Sequence, residues 1–306
     1  MSLYSILYRN SYQLEYLLVE LLTRMPFSNT LKWLFFLRGI LNFLTNRDWR
    51  NLLDSSISVR KQSALVLNVP EYSMDTLCRF ISYSLEEYEI LNLRNSTNMK
   101  MQLCEIEKKC KVLFKKYDSF FKHKNNFAMF SLHYGSFTFG ILALRSIGLP
   151  IYVLGSNVVN SPLLPSSVCR FFQIKYQTMN KFLNGGEVLF FETQKKYFFS
   201  KLSKGSICIS LLDLLAVNKN SYISINIFDQ IRDVQAGLAH YAHKKNIPLG
   251  FFICRRKYFG EFIIDIKIAK HDYPDVRHVM QGLLLDLDKI TFPKRYWLIA
   301  DTFFQN

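Results

Sequence analysis

The sequence predicts an α/β protein in which a helical N-terminal part precedes a mixed, mostly parallel sheet with helices on both faces. Up to about residue 120, apolar side chains recur at helical spacing. After Phe127, short apolar runs of strand length alternate with helical segments. We therefore predict a helical region over residues 1–120 that could associate with a membrane, and an α/β domain over residues 121–306.

The composition favours a polyanionic partner. The 306 residues are 49% hydrophobic and carry a formal net charge of +15. Such a balance suits nucleic acid, an anionic membrane face or an acidic protein. Nucleic acid is the weakest choice, because no zinc-finger spacing, RNP-like aromatic motif or arginine-rich arm is present. The mild basic concentration from Lys108 to Lys124 is more typical of a solvated helix face.

The cysteines and histidines do not predict a metal site or a disulfide framework. The cysteines lie in apolar surroundings without a CxxC pair, which is typical of reduced, packed thiols. His240 and His243 form an HxxH pair on a predicted helix, but a zinc site needs further ligands nearby. The start of the chain lacks the features of a cleavable signal, and no run of about twenty apolar residues predicts a spanning helix.

Two helices open the chain. The first has an apolar face and ends at Pro26; that face is formed by Leu14, Leu17, Leu18, Leu21 and Leu22. The second begins near Thr30 and is apolar nearly all round. It is either a core helix or a helix in the membrane interface, with aromatic side chains inserted and basic residues facing head groups. The aromatic residues in question are Trp33, Phe35 and Phe36.

Further helices complete the N-terminal part. We predict one within Arg47–Asn68 and another after Pro70, with Ser73 or Asp75 as its cap. The next keeps helical spacing through Leu103, Ile106, Cys110, Leu113, Phe114 and Tyr117.

The α/β part follows from the alternation of the two patterns. Strands are predicted over Phe127–Leu132, Ile151–Gly155, Ser206–Leu212, Tyr222–Phe228, Pro248–Cys254 and Glu261–Ile268. Helices are predicted from Phe137 to about Ser146, from Ser161 through Phe171, over Val234–Lys245 and over Pro274–Asp288. The stretch Lys181–Ser200 is ambiguous between a strand and a loop excursion.

A histidine lies at the junction between the first of these strands and the helix that follows it. His133 follows the buried run Phe127–Leu132, at the carboxyl edge where open α/β sheets bind ligands. From this position alone, His133 is either a functional residue or a structural one bonded to a nearby carbonyl.

The segment FAMFSLHYGSFTFG, from Phe127 to Gly140, resembles the bacterial lipid A late acyltransferase family. The likeness lies in the order of apolar strand, His-aromatic-Gly, small polar residue, aromatic residue and apolar helix. Weaker similarities follow in the family's order: RKQSALVLNVPEYS, the segment from Lys204-Gly205 to Asp213, AGLAHYAHKKNIPLGFFICRRK, and the tail FPKRYWLIADTFF. The family has Glu or Asp five positions after the histidine, where this chain has Thr138.

The resemblance implies a glycerolipid acyltransferase-like fold and transfer of a fatty acyl group from acyl carrier protein or coenzyme A. The acceptor would be a hydroxyl or amine of a lipid at the cytoplasmic face of the bacterial inner membrane, and no resident cofactor is implied. His133 would be the general base. Thr138 could hydrogen-bond the ring but cannot balance imidazolium charge. Asp213, at the end of a neighbouring predicted strand, is either the substitute acid or a helix cap or loop residue.

Two further departures from the family pattern are visible. The family has a basic residue after the tyrosine of IYVLGSN, where this chain has Val153 and Leu154. It also has an aromatic-Gly turn where this chain has Asp229. These departures leave a second hypothesis open, in which an acyltransferase-fold protein has lost catalysis and binds a lipid, an acyl carrier or a partner enzyme.

Residues near His133 have supporting roles in the hypothesis. Gly135 offers a permissive backbone, and amides at the start of the next helix could stabilise an oxyanion. Ser136 lacks a GxSxG elbow, which favours a helix-capping role over that of a nucleophile. Arg255 and Arg256 could contact donor or lipid phosphates, although such charge runs are more often solvated.

Overall fold

Nine stretches of the chain define the architecture. The computed structural model describes residues 3–22, 28–45, 47, 73–116, 126–213, 222–227, 230–257, 261–269 and 275–284. Residues 48–68 of the predicted helical stretch, all but the last residue of the segment RKQSALVLNVPEYS, Asp229 and the tail FPKRYWLIADTFF lie outside the described residues. What is described is an α/β fold in which a helical N-terminal part precedes a mixed, mostly parallel sheet.

The N-terminal part contains helices at the places that the apolar spacing predicts. Their bounds are α1 Leu3–Leu22, α2 Ser28–Leu44, α3 Met74–Leu93 and α4 Thr97–Lys115. Of the two predicted caps for α3, Ser73 is the N-cap: its Oγ accepts a hydrogen bond of 3.2 Å from the Thr76 amide. Asp75 instead lies in the first turn, where its negative charge complements the helix dipole.

The α/β part is built on a six-stranded sheet. Its helices are α5 Phe137–Ala143, α6 Ser166–Asn180, α7 Phe191–Lys201, α8 Gly237–Lys244 and α9 Val276–Leu284. The strands are β1 Phe127–Ser131, β2 Ile151–Gly155, β3 Val188–Phe190, β4 Ile207–Leu211, β5 Tyr222–Ile227, β6 Gln230–Gln235, β7 Leu249–Lys257 and β8 Glu261–Ile268. The sheet has the order β3-β2-β4-β1-β7-β8, with only β8 antiparallel to its neighbour. β5 and β6 form a separate antiparallel pair.

Both faces of the sheet are covered by helices, as the sequence predicts. All five residues of β1 are buried, and the first four alternate between two hydrophobic clusters. Phe127 and Met129 belong to the cluster that includes α3, α5 and α6, whereas Ala128 and Phe130 belong to the cluster that includes α8 and α9.

Two of the predicted helices begin elsewhere. The helix predicted over Val234–Lys245 is wrong at its start, because Gln230–Gln235 forms β6 and α8 begins at Gly237. The six residues of β6 pair with the preceding strand β5, and this strand pairing decides their conformation. The helix predicted from Ser161 begins at Ser166 and continues to Asn180, after a 3₁₀ turn over Val158–Asn160. The ambiguous stretch Lys181–Ser200 contains β3 and most of α7.

The apolar face of α1 points mostly outwards. Leu14, for example, is 71% exposed, and Leu17, Leu18 and Leu21 are also exposed. The side chains that anchor α1 to the core are instead Tyr12, Tyr16 and Val19.

Some side chains of α2 fit the interpretation as a core helix, and others fit the interpretation as an interface helix. Phe35 is buried in the core, whereas Trp33 is 57% exposed. Its basic residue Arg38 does not face outwards, because it donates to Glu15 at 2.6 Å and also pairs with buried Glu87. The expectation that Phe35 inserts into a membrane and Arg38 faces head groups is therefore wrong. Within the described ranges, no helix is long and apolar enough to cross a membrane.

Candidate active site

The register of the parallel strands brings His133 and Asp213 together. β1 and β4 are neighbours, and their last residues, Ser131 and Leu211, are paired. The pairing continues one step further, because the Leu212 amide donates to the Ser131 carbonyl at 2.9 Å. His133 and Asp213 each lie two residues beyond the paired strand ends, at the carboxyl edge of the sheet. Parallel neighbours about 4.8 Å apart place such residues within side-chain reach.

Asp213 holds His133 through two hydrogen bonds. Its Oδ2 accepts from the His133 backbone amide at 2.8 Å, and its Oδ1 lies 2.9 Å from His133 Nδ1. The Asp213 side chain is fully buried, whereas that of His133 is 20% exposed. The carboxylate therefore fixes both the backbone and the ring of the histidine.

This arrangement determines which ring nitrogen is available for chemistry. A carboxylate at Nδ1 favours the tautomer with the proton on Nδ1, which leaves the lone pair on Nε2. Phe137 packs edge-on against the imidazole, with ring centroids 4.7 Å apart. The result is a partly accessible imidazole with a buried carboxylate behind it, the arrangement of a general base and its orienting acid.

The loop after His133 is fastened to β7 through its backbone. Gly135 has φ +58°, and a Cβ on it would lie 2.6 Å from the Cys254 carbonyl oxygen. The Ser136 amide donates to that same carbonyl at 2.9 Å. It is therefore not available to an oxyanion, contrary to the support suggested for Ser136. Ser136 occupies the N-cap position of α5 but makes no capping bond through its side chain.

Thr138 bonds to a helix of the N-terminal part and not to His133. It is fully buried, and its hydroxyl donates to Glu86 of α3. Glu86 also accepts two hydrogen bonds, of 3.0 and 3.1 Å, from Lys175 of α6. The Lys175 ammonium lies 5.1 Å from the centre of the Phe137 ring, on which it forms a cation–π contact. The suggestion that Thr138 hydrogen-bonds the histidine is thus wrong, because its hydroxyl is bound to a carboxylate from another helix.

A second buried ion pair supports the same loop. Arg256 of β7 donates through Nε to Glu89 of α3 at 2.7 Å, and through Nη2 to Glu89 and to Ser136 Oγ, the latter at 3.0 Å. Burial raises the pKa of Glu89, and the neighbouring Arg256 opposes that rise.

These contacts do not favour an external phosphate ligand at Arg256. The guanidinium is nearly buried and already bonded on the protein side. Arg255 is more accessible and pairs with Asp265 at 3.3 Å. Of the two arginines proposed as phosphate contacts, Arg255 is therefore the better placed.

The remaining candidates do not join this constellation. Val153 and Leu154 are buried within β2. Among the described residues, no group of three or more His, Cys, Asp or Glu could hold a metal ion. Burial raises the pKa of the Cys110 and Cys208 thiols to about 12, as suits packed, unreactive thiols.

The sequence interpretation missed the buried charges of α3. Glu86 binds Thr138 in the segment that follows His133, and Glu89 binds Arg256 of β7, which in turn donates to Ser136 of that segment. The signal was present as LEEYE, with several carboxylates in a short helical stretch among apolar residues. Acidic side chains in such a setting are buried only when they are paired.

Comparison with models of known protein families finds no match to this chain, and a search among curated proteins finds none either.

Proposed function

We propose that this protein is an acyltransferase that moves a fatty acyl group from a thioester donor to a hydroxyl or amine of a lipid acceptor. The donor would be acyl carrier protein or coenzyme A. The observation that carries the proposal is the partly exposed His133, held by buried Asp213 at the carboxyl edge of the sheet. The likeness of Phe127–Gly140 to lipid A late acyltransferases supports the choice of reaction, and a glycerolipid acyltransferase-like fold is part of the proposal.

In the proposed reaction, Nε2 of His133 removes a proton from the acceptor as the acceptor oxygen or nitrogen bonds to the thioester carbonyl carbon. Collapse of the tetrahedral intermediate breaks the carbon–sulfur bond, and the imidazolium returns the proton to the departing thiolate. Asp213 orients the ring and stabilises its charged form, the role of the acid in a catalytic triad. This role does not require an acid at Thr138.

The proposal includes peripheral association with the cytoplasmic face of a bacterial inner membrane. Exposed leucines of α1 and exposed apolar residues of α2 offer a surface that suits lipid better than water. The net charge of +15 complements anionic lipids, and it also suits an acidic carrier protein.

A second candidate function is a lipid, acyl carrier or partner-binding protein without catalysis. It is favoured by Thr138, whose hydroxyl is engaged by Glu86, and by the uncharged, buried Val153 and Leu154. The two candidates differ in whether turnover depends on His133.

The test is a transfer assay with acyl carrier protein and coenzyme A thioesters and phospholipid or glycolipid acceptors. We expect His133→Ala to abolish turnover and Asp213→Asn to lower it by about 10⁴, because the amide favours the wrong tautomer. The matched control is His278→Ala, since His278 Nδ1 lies 2.9 Å from Asp275 on the surface of α9. Wild-type turnover in His133→Ala would refute the proposal; donor binding without turnover in any variant would favour the second candidate.

A further inference from the structure

A polar cavity of about 1100 Å³ lies between α1 and α6, apart from the histidine site. Its walls come from α1, from the C-terminus of α3, from the loop after β2 and from α6. Neither His133 nor Asp213 lines it. Lys175, which belongs to the network behind His133, lies on the opposite side of α6 from the cavity residues Arg170, Gln173 and Gln177.

The cavity is rich in cationic and amide groups. Three guanidinium groups line it, those of Arg9, Arg94 and Arg170, against one carboxylate, that of Glu20. Arg170 pairs with Glu20 at 2.9 Å, and Arg9 donates to the Leu164 carbonyl at 3.3 Å. Arg94 is exposed, and among the described residues its side chain has no hydrogen-bond or ion-pair partner. The cavity therefore has a surplus of positive charge.

The amides of the cavity add donors and acceptors for a hydroxylated ligand. Asn10, Asn160, Gln173 and Gln177 contribute to the lining. Gln13 accepts a hydrogen bond of 3.2 Å from the Ser167 amide, which fastens α1 to the first turn of α6. That turn lies in the cavity wall, and its dipole adds to the positive potential of the arginines.

One edge of the cavity adjoins the exposed leucines of α1. Leu17 follows the lining residue Gln13 by four residues and precedes Glu20 by three, so it lies on nearly the same side of the helix. Leu14, Leu18 and Leu21 continue the apolar face beyond it, and all four leucines are exposed. A ligand seated here would meet cations and amides in the cavity and apolar surface at its rim.

We propose that this cavity binds the phosphate of an anionic phospholipid whose head group carries hydroxyls. The guanidinium groups would bind the phosphate oxygens, the amides would bind head-group hydroxyls, and the leucines of α1 would contact the acyl chains. The inference rests on the membrane association proposed above and is independent of acyl transfer.

The test measures sedimentation of the full chain with vesicles of phosphatidylcholine, alone or mixed with phosphatidylglycerol. We expect phosphatidylglycerol to be preferred. Arg94→Gln and Arg170→Gln should each weaken binding to the mixed vesicles about five-fold, the effect of one basic residue near an anionic surface. Arg277→Gln is the matched control, because Arg277 is an exposed arginine of α9, which covers the other face of the sheet.

A second arm separates a lipid from a free phosphate. Soluble glycerol 1-phosphate is titrated calorimetrically into the wild type and the same variants. Binding that depends on Arg94 in this arm, without preference for phosphatidylglycerol vesicles, would support the phosphate site and assign it to a soluble ligand. The proposal is overturned if Arg94→Gln and Arg170→Gln weaken binding no more than Arg277→Gln in both arms. Turnover in the transfer assay is a separate readout, so failure of this site leaves the histidine proposal intact.

Discussion

At the scale of residues, burial distinguishes two otherwise similar His–Asp pairs. His133 with Asp213 and His278 with Asp275 both join Nδ1 to a carboxylate oxygen at 2.9 Å, and both carboxylates also accept the histidine's backbone amide. Asp213 is fully buried, whereas Asp275 is exposed at the start of a helix. In water the second contact is largely screened, whereas the buried carboxylate acts on its ring at low dielectric.

The position of Thr138 leads to a prediction about placing there the acid that lipid A late acyltransferases have. Thr138→Glu is expected to destabilise the protein by about 3–5 kcal/mol without raising turnover, because the new carboxylate would be buried beside Glu86, the group that Thr138 bonds to instead of His133. Chemical denaturation measures the loss, and Thr138→Gln is the control for side-chain size.

Exchange of the acid between the two positions refines this prediction. In Thr138→Glu combined with Glu86→Gln, Lys175 regains a single carboxylate partner, and we expect much of the lost stability to return. If Thr138→Glu proved as stable as Thr138→Gln, or if it raised turnover, the direction assigned to the Thr138 side chain would be wrong.

At the scale of elements, α3 fastens the strand–helix junction of the site through ion pairs. Glu86 binds Thr138 and Lys175, and Glu89 binds Arg256, which in turn binds Ser136. Paired charges that are buried specify one geometry, because displacing either partner leaves a desolvated charge. These contacts with α3, in the helical part of the chain, therefore hold the start of α5 in place. They also hold Phe137, whose ring packs against the imidazole.

The junction itself gives a second prediction. Gly135→Ala is expected to cost more stability than Gly148→Ala, although both glycines have positive φ. The left-handed backbone alone costs about 1–2 kcal/mol for alanine. At Gly135 the added Cβ would also lie 2.6 Å from the Cys254 carbonyl, whereas at Gly148 it would meet nothing within 4 Å.

Thermal melts and the transfer assay measure both glycine variants. Because Gly135 lies two residues after His133, we expect its variant also to lose turnover, while Gly148→Ala retains it. Equal melting temperatures for the two variants would contradict the close approach of the loop to β7.

At the scale of the whole molecule, exposed apolar surface and a positive net charge occur on the same chain. α1 and α2 expose apolar side chains on the outside of a helical part whose inner side joins the core. Such a surface is favourable at a lipid interface and unfavourable in water.

This surface leads to a prediction about vesicle binding. Leu14→Gln combined with Leu18→Gln is expected to weaken vesicle binding by more than ten-fold, because each leucine loses most of its transfer free energy. Stability should change little, since both side chains are exposed. Ile231→Gln is the control, as Ile231 is an equally exposed apolar residue on β6. Unchanged vesicle binding would exclude α1 as the contact surface.

The local sequence pattern by itself determined much of the secondary structure of this protein. The bounds of β2 match the prediction residue by residue, Ser73 caps α3, and the apolar run before His133 forms a central strand. The position of His133 at the carboxyl edge also followed from the sequence. His133 comes directly after a predicted strand, and the C-terminal ends of parallel strands form that edge of the sheet. Periodicity and capping depend on neighbours in the chain, so they are visible without coordinates.

Only the tertiary structure decided which partner each side chain meets. In the tertiary structure, Thr138 bonds to Glu86, Arg256 pairs with Glu89, and the leucines of α1 are exposed. Residues Gln230–Gln235 form a strand. The first three outcomes depend on segments far apart in the chain, whereas β6 pairs with the adjacent strand β5; in each case packing overrides local preference. The strand register that brings Asp213 to His133 belongs to the same class: the sequence names both residues, but only the pairing of β1 with β4 brings them within hydrogen-bond distance.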